Sequence, residues 1–214
     1  MEFSGEGKKL VDYYALMAAT GYDRSDGTRV ESAFNDFELR PFRAEIRKYF
    51  AQFGIRSVLD YGSGGSDWNA MGFDEASGQS AVQYFGLSEA RRYEPARGID
   101  ERAEVDCVVS FDVLEHIFIA DVPSVLRDMF RHARDLLTLN VACYPAAAKL
   151  PNGENAHVTV RPPAWWKGMV DSIASEYPAT SVLLLCSPQW RTIQGFEVFS
   201  GQQWLADEHF VIEN

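Results

Sequence analysis

Three places along the chain put acids, glycines and histidines where they could do chemistry, and each follows a run that reads as a buried strand. The first is SVLDYGSGGSD, residues 57–67. Ser57-Val58-Leu59 is a short apolar run, Asp60 ends it, and Gly62 and Gly64 follow with Ser63 between them. Glycine has no Cβ and tolerates positive φ, so such a turn lets a ligand approach the backbone, as at the carboxyl edge of parallel sheets. A carboxylate at that mouth does nothing for a pyrophosphate, whereas it suits a ligand with a cationic, amino-acid-like part. The second place is Glu94, at the end of the strand expected at Ala90–Tyr93, where Pro95 stops the ladder. An acid at the end of this strand can accept both hydroxyls of a ribose. Glu94 stands about 30 residues beyond Gly64, against about 20 in the dinucleotide motif; the plain alternative is a solvated Glu beside a turn. The third is Phe111-Asp112-Val113-Leu114-Glu115-His116, after the strand Val105–Phe111. Polar residues directly after a buried strand point into the same crevice as the glycine turn.

The elements that must position these residues alternate along the chain. Residues 1–37 begin polar, Lys9–Ala19 has helical spacing, and Gly21–Thr28 is a loop; this segment reads as a helical lid or cap, or as a helix packed outside the core. Pro41 opens a helix whose Phe42, Ile46, Tyr49, Phe50 and Phe53 share a face, stopped at Gly54. Trp68–Met71 is read as a helix start and Ser80–Phe85 as a second helical piece. Pro123 opens a helix whose apolar face runs from Val122 to Leu137, and Leu136–Cys143 is β-rich. A long loop, residues 144–163, precedes an amphipathic helix with Trp165, Met169 and Ile173. Ser181–Ser187 and Thr192–Phe199 read as a closing antiparallel pair across Pro188-Gln189-Trp190. Alternation of this kind implies an α/β fold with a parallel sheet covered on both faces, the closing pair adding one reversed strand.

Composition narrows the function classes. The 214 residues suffice for one large domain. A net charge of -11 disfavours nucleic-acid backbones and anionic lipid, both of which require clustered Lys and Arg. Cys107, Cys143 and Cys186 lie in or beside apolar runs without CxxC spacing, which fits reduced thiols rather than disulfides or zinc, and no metal site is expected. MEFSGEGKKL has no apolar h-region, and no apolar run is long enough for a bilayer; a cytoplasmic protein is expected.

SVLDYGSG, then YEP, then VDCVVSFDVLEHI resembles the successive motifs of class I S-adenosylmethionine-dependent methyltransferases, over about residues 57–143. DVLEHI points to the small-molecule branch, and NVACYPAAAKLPNGENAHVTVRPPAWW is similar to a bacterial subgroup of these proteins. The resemblance implies a Rossmann-like doubly wound sheet over residues 38–214, mostly parallel with one antiparallel strand near the C-terminus, and S-adenosylmethionine as cofactor. It implies that Asp60 with the turn Gly62-Ser63-Gly64 holds the methionine part, Glu94 the ribose hydroxyls, and that Phe111, Asp112 and Val113 line the cofactor's inner side. One departure stands out. About 18 residues separate Glu94 from Asp112, too few for the helix and further strand the family places there, so either that strand is missing and the sheet has six strands, or it is vestigial; adenine recognition is left open, with Asp100 only a weak substitute acid.

A sulfonium methyl is already electrophilic, so alignment and exclusion of water are the protein's main tasks. A hydroxyl acceptor also needs a base, and His is the usual choice near neutral pH. His116 follows the strand edge and His157 lies in the long loop, so these two are the catalytic candidates against structural histidines. Tyr144, Asn155 and Arg161 are candidates for contact with a small-molecule or glycan-like substrate; Arg161 could grip an anion in bidentate fashion or form an ordinary surface pair. An NAD(P)-dependent oxidoreductase is the rival enzyme, but it requires GxGxxG and residue 67 is Asp. A cofactor-binding protein without turnover is the rival outside catalysis. P-loop phosphotransfer lacks its GK[ST].

Overall fold

A computed structural model describes residues 2–31, 33–35, 37–189, 192–198 and 204–211. Helix α1 (Gly5–Thr20) is followed by a two-strand ribbon, β1 (Tyr22–Asp23) and β2 (Arg29–Val30). Helix α2 (Arg43–Phe53) leads into β3 (Ser57–Tyr61). Then come α3 (Ala81–Phe85), β4 (Glu89–Glu94), β5 (Ile99–Asp100) and β6 (Val105–Phe111). Helix α4 (Val122–His132), β7 (Ala133–Ala142), α5 (Pro163–Ala174) and β8 (Ser181–Gln189) complete the alternation. Strands β9 (Thr192–Val198) and β10 (Trp204–Val211) close the chain.

The large sheet has the order β10-β9-β8-β7-β6-β3-β4-β5. Its five central strands, β4-β3-β6-β7-β8, are parallel. Strands β9 and β5 run against their neighbours. The fold is therefore α/β with a mostly parallel sheet, compatible with a Rossmann-like arrangement. Chain order reverses between β3 and β6, and a crevice opens beyond the carboxyl ends of strands at such a switch point.

Alternation along the strands explains why both faces are covered. Leu59 and Val108 pack with Leu126, Met129, Trp166 and Val170 on the side of α4 and α5. Val58, Cys107 and Val109 pack with Ile46, Phe50, Trp68 and Phe85 on the side of α2 and α3. Successive residues of a strand point to opposite faces, so one apolar run feeds two cores. Each fully buried Leu, Val or Phe contributes about 1.5–3 kcal/mol relative to exposure. A third cluster joins α1 to the long loop through Leu10, Met17, Leu150 and Ala156.

Several expectations need correction. Among the described residues the sheet has eight strands rather than six: the short segment after Glu94 forms a 3-10 turn at Pro95–Arg97 and then the two-residue β5, which folds back antiparallel on β4. Strand β10 was not anticipated. Trp68–Met71 is turn rather than helix, because the Trp68 indole is drawn into the core and bonded to Asp60. Helix α4 stops at His132, and Ala133 already pairs with Val105. Trp190 and Phe199, placed by the sequence in the closing pair, lie outside the described residues. Among the described residues no helix is long and apolar enough to cross a membrane.

Candidate functional site

A cavity opens at the switch point, lined by the ends of β3, β4 and β6 and roofed by α1 and the segment that follows it. Its space, open mouth and adjoining solvent included, is about 1240 Å³. Asp60, Gly62, Ser63, Gly64, Glu94, Phe111, Asp112, Val113 and His116 all line it. Leu10, Tyr14, Phe34 and Phe37 supply an apolar roof.

Asp60 is 8% exposed. Its Oδ2 accepts from Ser66 Oγ at 2.7 Å and from Trp68 Nε1 at 2.9 Å. Burial outweighs these bonds and raises its pKa to about 6. The sequence reading named the acid but not these two partners, although both lie within eight residues of it.

The glycine turn is conformationally constrained and its donors are occupied. Gly62 has φ of +83°, and a Cβ there would stand 2.4 Å from Val113 Cγ2. Five successive N–H groups have protein acceptors. Gly62 and Ser63 donate to Tyr93 O, Gly64 to Glu94 Oε2, Gly65 to Phe34 O and Ser66 to Ser63 O. A phosphate cradle needs such donors free, so this turn is not one. By contrast, the Ser63 hydroxyl is buried, faces the cavity's wall and has no hydrogen-bond partner among the described residues. Buried polar atoms without partners are rare and call for a ligand or water.

Glu94 accepts from Gly64 N at 2.9 Å and from Ala96 N at 3.0 Å, one bond per oxygen. Each oxygen keeps a lone pair for a further donor. Burial pushes its pKa up despite the two bonds. Asp100, by contrast, is exposed, is held by Arg102 at 2.9 and 2.6 Å, and is not among the residues lining the cavity.

Asp112 sits with φ of +58°, a left-handed conformation unusual for a non-glycine residue and often found at functional positions. Two histidines flank it. His116 Nε2 is 3.6 Å from Asp112 Oδ2, and His157 Nε2 is 3.9 Å from Asp112 Oδ1. The two imidazoles meet edge to face, with centroids 4.6 Å apart. His116 Nδ1 is 3.0 Å from Ala156 O and 2.5 Å from the Tyr14 hydroxyl, which itself donates to Ala156 O. A carbonyl oxygen only accepts, so Nδ1 carries the proton. The same logic puts a proton on His157 Nδ1, 2.5 Å from Tyr144 O. In their neutral forms both rings therefore present an Nε2 lone pair toward Asp112. Burial, then the neighbouring His116, lowers the His157 pKa to about 4. The Asp112 side chain is 40% exposed, and its carboxyl lies below the ordinary value when the neighbouring His116, and then His157, carries charge. Glu115, absent from the candidates, is fully buried. It accepts from Ala142 N at 2.5 Å, and burial, then Asp112, pushes its pKa well up.

The long-loop candidates are placed differently. His157, Tyr144, Asn155 and Arg161 are not among the residues lining the cavity. His157 stands behind His116. Tyr144 offers its backbone carbonyl to His157, with its ring 6.0 Å from the imidazole. The Asn155 amide brackets the loop, accepting from Ala146 N and His157 N and donating to Ala146 O. Arg161 is exposed, donates to Val160 O and lies over the Trp165 ring.

Comparison with family models, with curated proteins and with solved structures gives no match for this chain.

Proposed function

We propose that this chain is an S-adenosylmethionine-dependent methyltransferase acting on a small-molecule or glycan-like acceptor. The observation that supports this reading most directly is Asp60, on the cavity wall at the head of a turn whose N–H groups are already occupied. A ligand recognised there meets carboxylates and the unpartnered Ser63 hydroxyl, not backbone donors. Five of the lining residues are acids, Glu38, Asp60, Glu94, Asp112 and Asp121, against Arg97 and His116 among the basic types. That balance favours a ligand with positive charge over a pyrophosphate.

The residues fit the cofactor. Asp60 and Ser63 would hold the ammonium and carboxylate of the methionine part, and Glu94 has lone pairs free for the ribose hydroxyls. Bound S-adenosylmethionine supplies an electrophilic methyl on a sulfonium. The chain's own part is orientation and exclusion of water, given by the roof of Leu10, Tyr14 and Phe34. Asp112 and His116 face an acceptor's hydroxyl from the cavity wall, with His157 behind them.

Thermal unfolding with S-adenosylhomocysteine and, separately, with NAD+ tests the reading. At about 100 times its Kd a ligand adds about 2.7 kcal/mol, which raises Tm by about 5–10 °C for a chain of this size. Stabilisation by S-adenosylhomocysteine and none by NAD+ is expected; stabilisation by NAD+ alone overturns the proposal. Incubating cell extract with isotopically methyl-labelled cofactor then identifies the acceptor.

A further inference from the structure

We infer that Asp112, His116 and His157 form a binding site for one divalent transition-metal ion, open toward the cavity. The ligand-type atoms of the three side chains lie within 4.8 Å of one another. The two Nε2-to-carboxylate separations, 3.6 and 3.9 Å, are too long for hydrogen bonds. They are close to the spacing of donors around a shared ion, since ligands about 2.1 Å from a tetrahedral centre stand about 3.4 Å apart.

The outer contacts argue for the same occupant. Two neutral imidazoles that aim lone pairs at one carboxylate repel it, and a cation or a proton between them removes the repulsion. Both tautomers are fixed by Nδ1–H bonds to backbone carbonyls, Ala156 O for His116 and Tyr144 O for His157. Metal-bound histidines are oriented in this way. Asn155 holds the loop that brings His157 in, and Tyr14 backs His116 from α1.

Two imidazoles and a carboxylate suit zinc, cobalt, iron or nickel rather than magnesium or calcium, which take oxygen ligands. Three protein ligands leave at least one position open. Asp112 and His116 both line the cavity, so the open position faces it. If the methyltransferase reading holds, this position takes an oxygen of the acceptor, which defines the acceptor class as hydroxyl-bearing.

The test uses the full chain, stripped with a chelator, dialysed and titrated with Co2+ while ligand-field absorption is followed, and with Zn2+ by calorimetry. One equivalent should bind, with no thiolate charge-transfer band. His116→Ala, His157→Ala and Asp112→Asn should each weaken binding by more than the 10–100-fold lost with an outer contact. Tyr14→Phe should fall within that range, and His132→Ala should bind like the parent. Circular dichroism and Tm identify variants that fail to fold; for these Tyr14→Phe supplies the measurement. Binding well below one equivalent, or equal affinity in the parent, His157→Ala and Tyr14→Phe, overturns the site. S-Adenosylhomocysteine affinity is measured in parallel on the stripped protein. Its absence alongside tight metal binding defeats the methyltransferase reading and leaves the ion site standing, while the reverse pattern removes only the ion site.

Discussion

A Cβ on Gly62 would stand 2.4 Å from Cγ2 of Val113, so the ends of β3 and β6 touch at the floor of the crevice. Gly62 also has φ of +83°. Gly62→Ala therefore meets a clash and a disfavoured backbone together. Strain of the second kind alone costs about 1–3 kcal/mol, and overpacking adds about as much. Urea unfolding should show a loss of about 2–6 kcal/mol, with S-adenosylhomocysteine binding weakened in the fraction that folds. A variant as stable as the parent would show that the two strand ends can separate freely.

Asp60 gives a prediction with a definite sign in pH. Its folded pKa is raised from the usual 3.8 to about 6 because burial disfavours the charge. Between these values the folded chain holds a proton that the unfolded chain has released. Acidification through this window therefore stabilises the fold, and the contribution is lost as pH rises through about 6, by an amount on the order of 3 kcal/mol. Asp60→Asn carries no such charge and should be the more stable protein at pH about 7.5, with the gap closing near pH about 4. In the same variant S-adenosylhomocysteine affinity should fall by about 10–100-fold, the worth of one charge-assisted hydrogen bond. Calorimetry on the parent should show affinity declining as pH falls below about 6. A flat profile would remove Asp60 from cofactor contact.

Much of this arrangement was legible because strands announce themselves. SVLDY and VDCVVSF are largely apolar runs, the first closed by Asp60-Tyr61 and the second followed by Asp112, and both ends line the cavity. What was not legible depended on partners distant in sequence. Trp68 opens a run read as a helix start, but its indole N–H is taken by Asp60, and tertiary contact overrides local propensity. The backfolded β5 replaced an expected gap because Asp100 and Ile99 find partners on β4. Asn155 looked like a substrate ligand. An Asn in a Gly-containing loop is as often a mimic of backbone, and its three bonds to Ala146 and His157 show that use. The grouping of Asp112, His116 and His157 was not legible because His157 reaches Asp112 only through the folded loop.

Asp121 ties the roof to the core. Ser4 N donates to its Oδ1 at 3.0 Å and Ser4 Oγ to its Oδ2 at 2.7 Å, while Ser4 Oγ also caps α1 at Gly7 N. Asp121→Ala removes two part-buried bonds and should cost about 1–3 kcal/mol. The loss should fall on α1 first. Hydrogen exchange over residues 5–20 should quicken while residues 105–111 of β6 stay protected. Uniform loss of protection would show that α1 is part of the core rather than a separable cover.

Asp128 makes a buried polar junction on the α4 side of the sheet. Its Oδ2 accepts from the Tyr61 hydroxyl at 2.9 Å and from Arg102 Nη1 at 2.8 Å, and the Arg102 guanidinium lies 4.1 Å from the Tyr93 ring centroid. The junction clamps the ends of β3 and β4 to α4, and with them Glu94. Asp128→Ala takes the acceptor from a buried hydroxyl and a partner from a mostly buried cation, changes that cost about 3–5 kcal/mol when a buried pair is broken. Asp128→Asn keeps an acceptor for Tyr61 and loses only the charge, so it should cost clearly less. The effect on ligand binding separates position from stability. In Asp128→Ala, S-adenosylhomocysteine affinity should fall about 10-fold, because one such loss corresponds to about 1.4 kcal/mol of displaced Glu94 contact. Unchanged affinity with reduced stability would show that Glu94 is held by Gly64 and Ala96 alone.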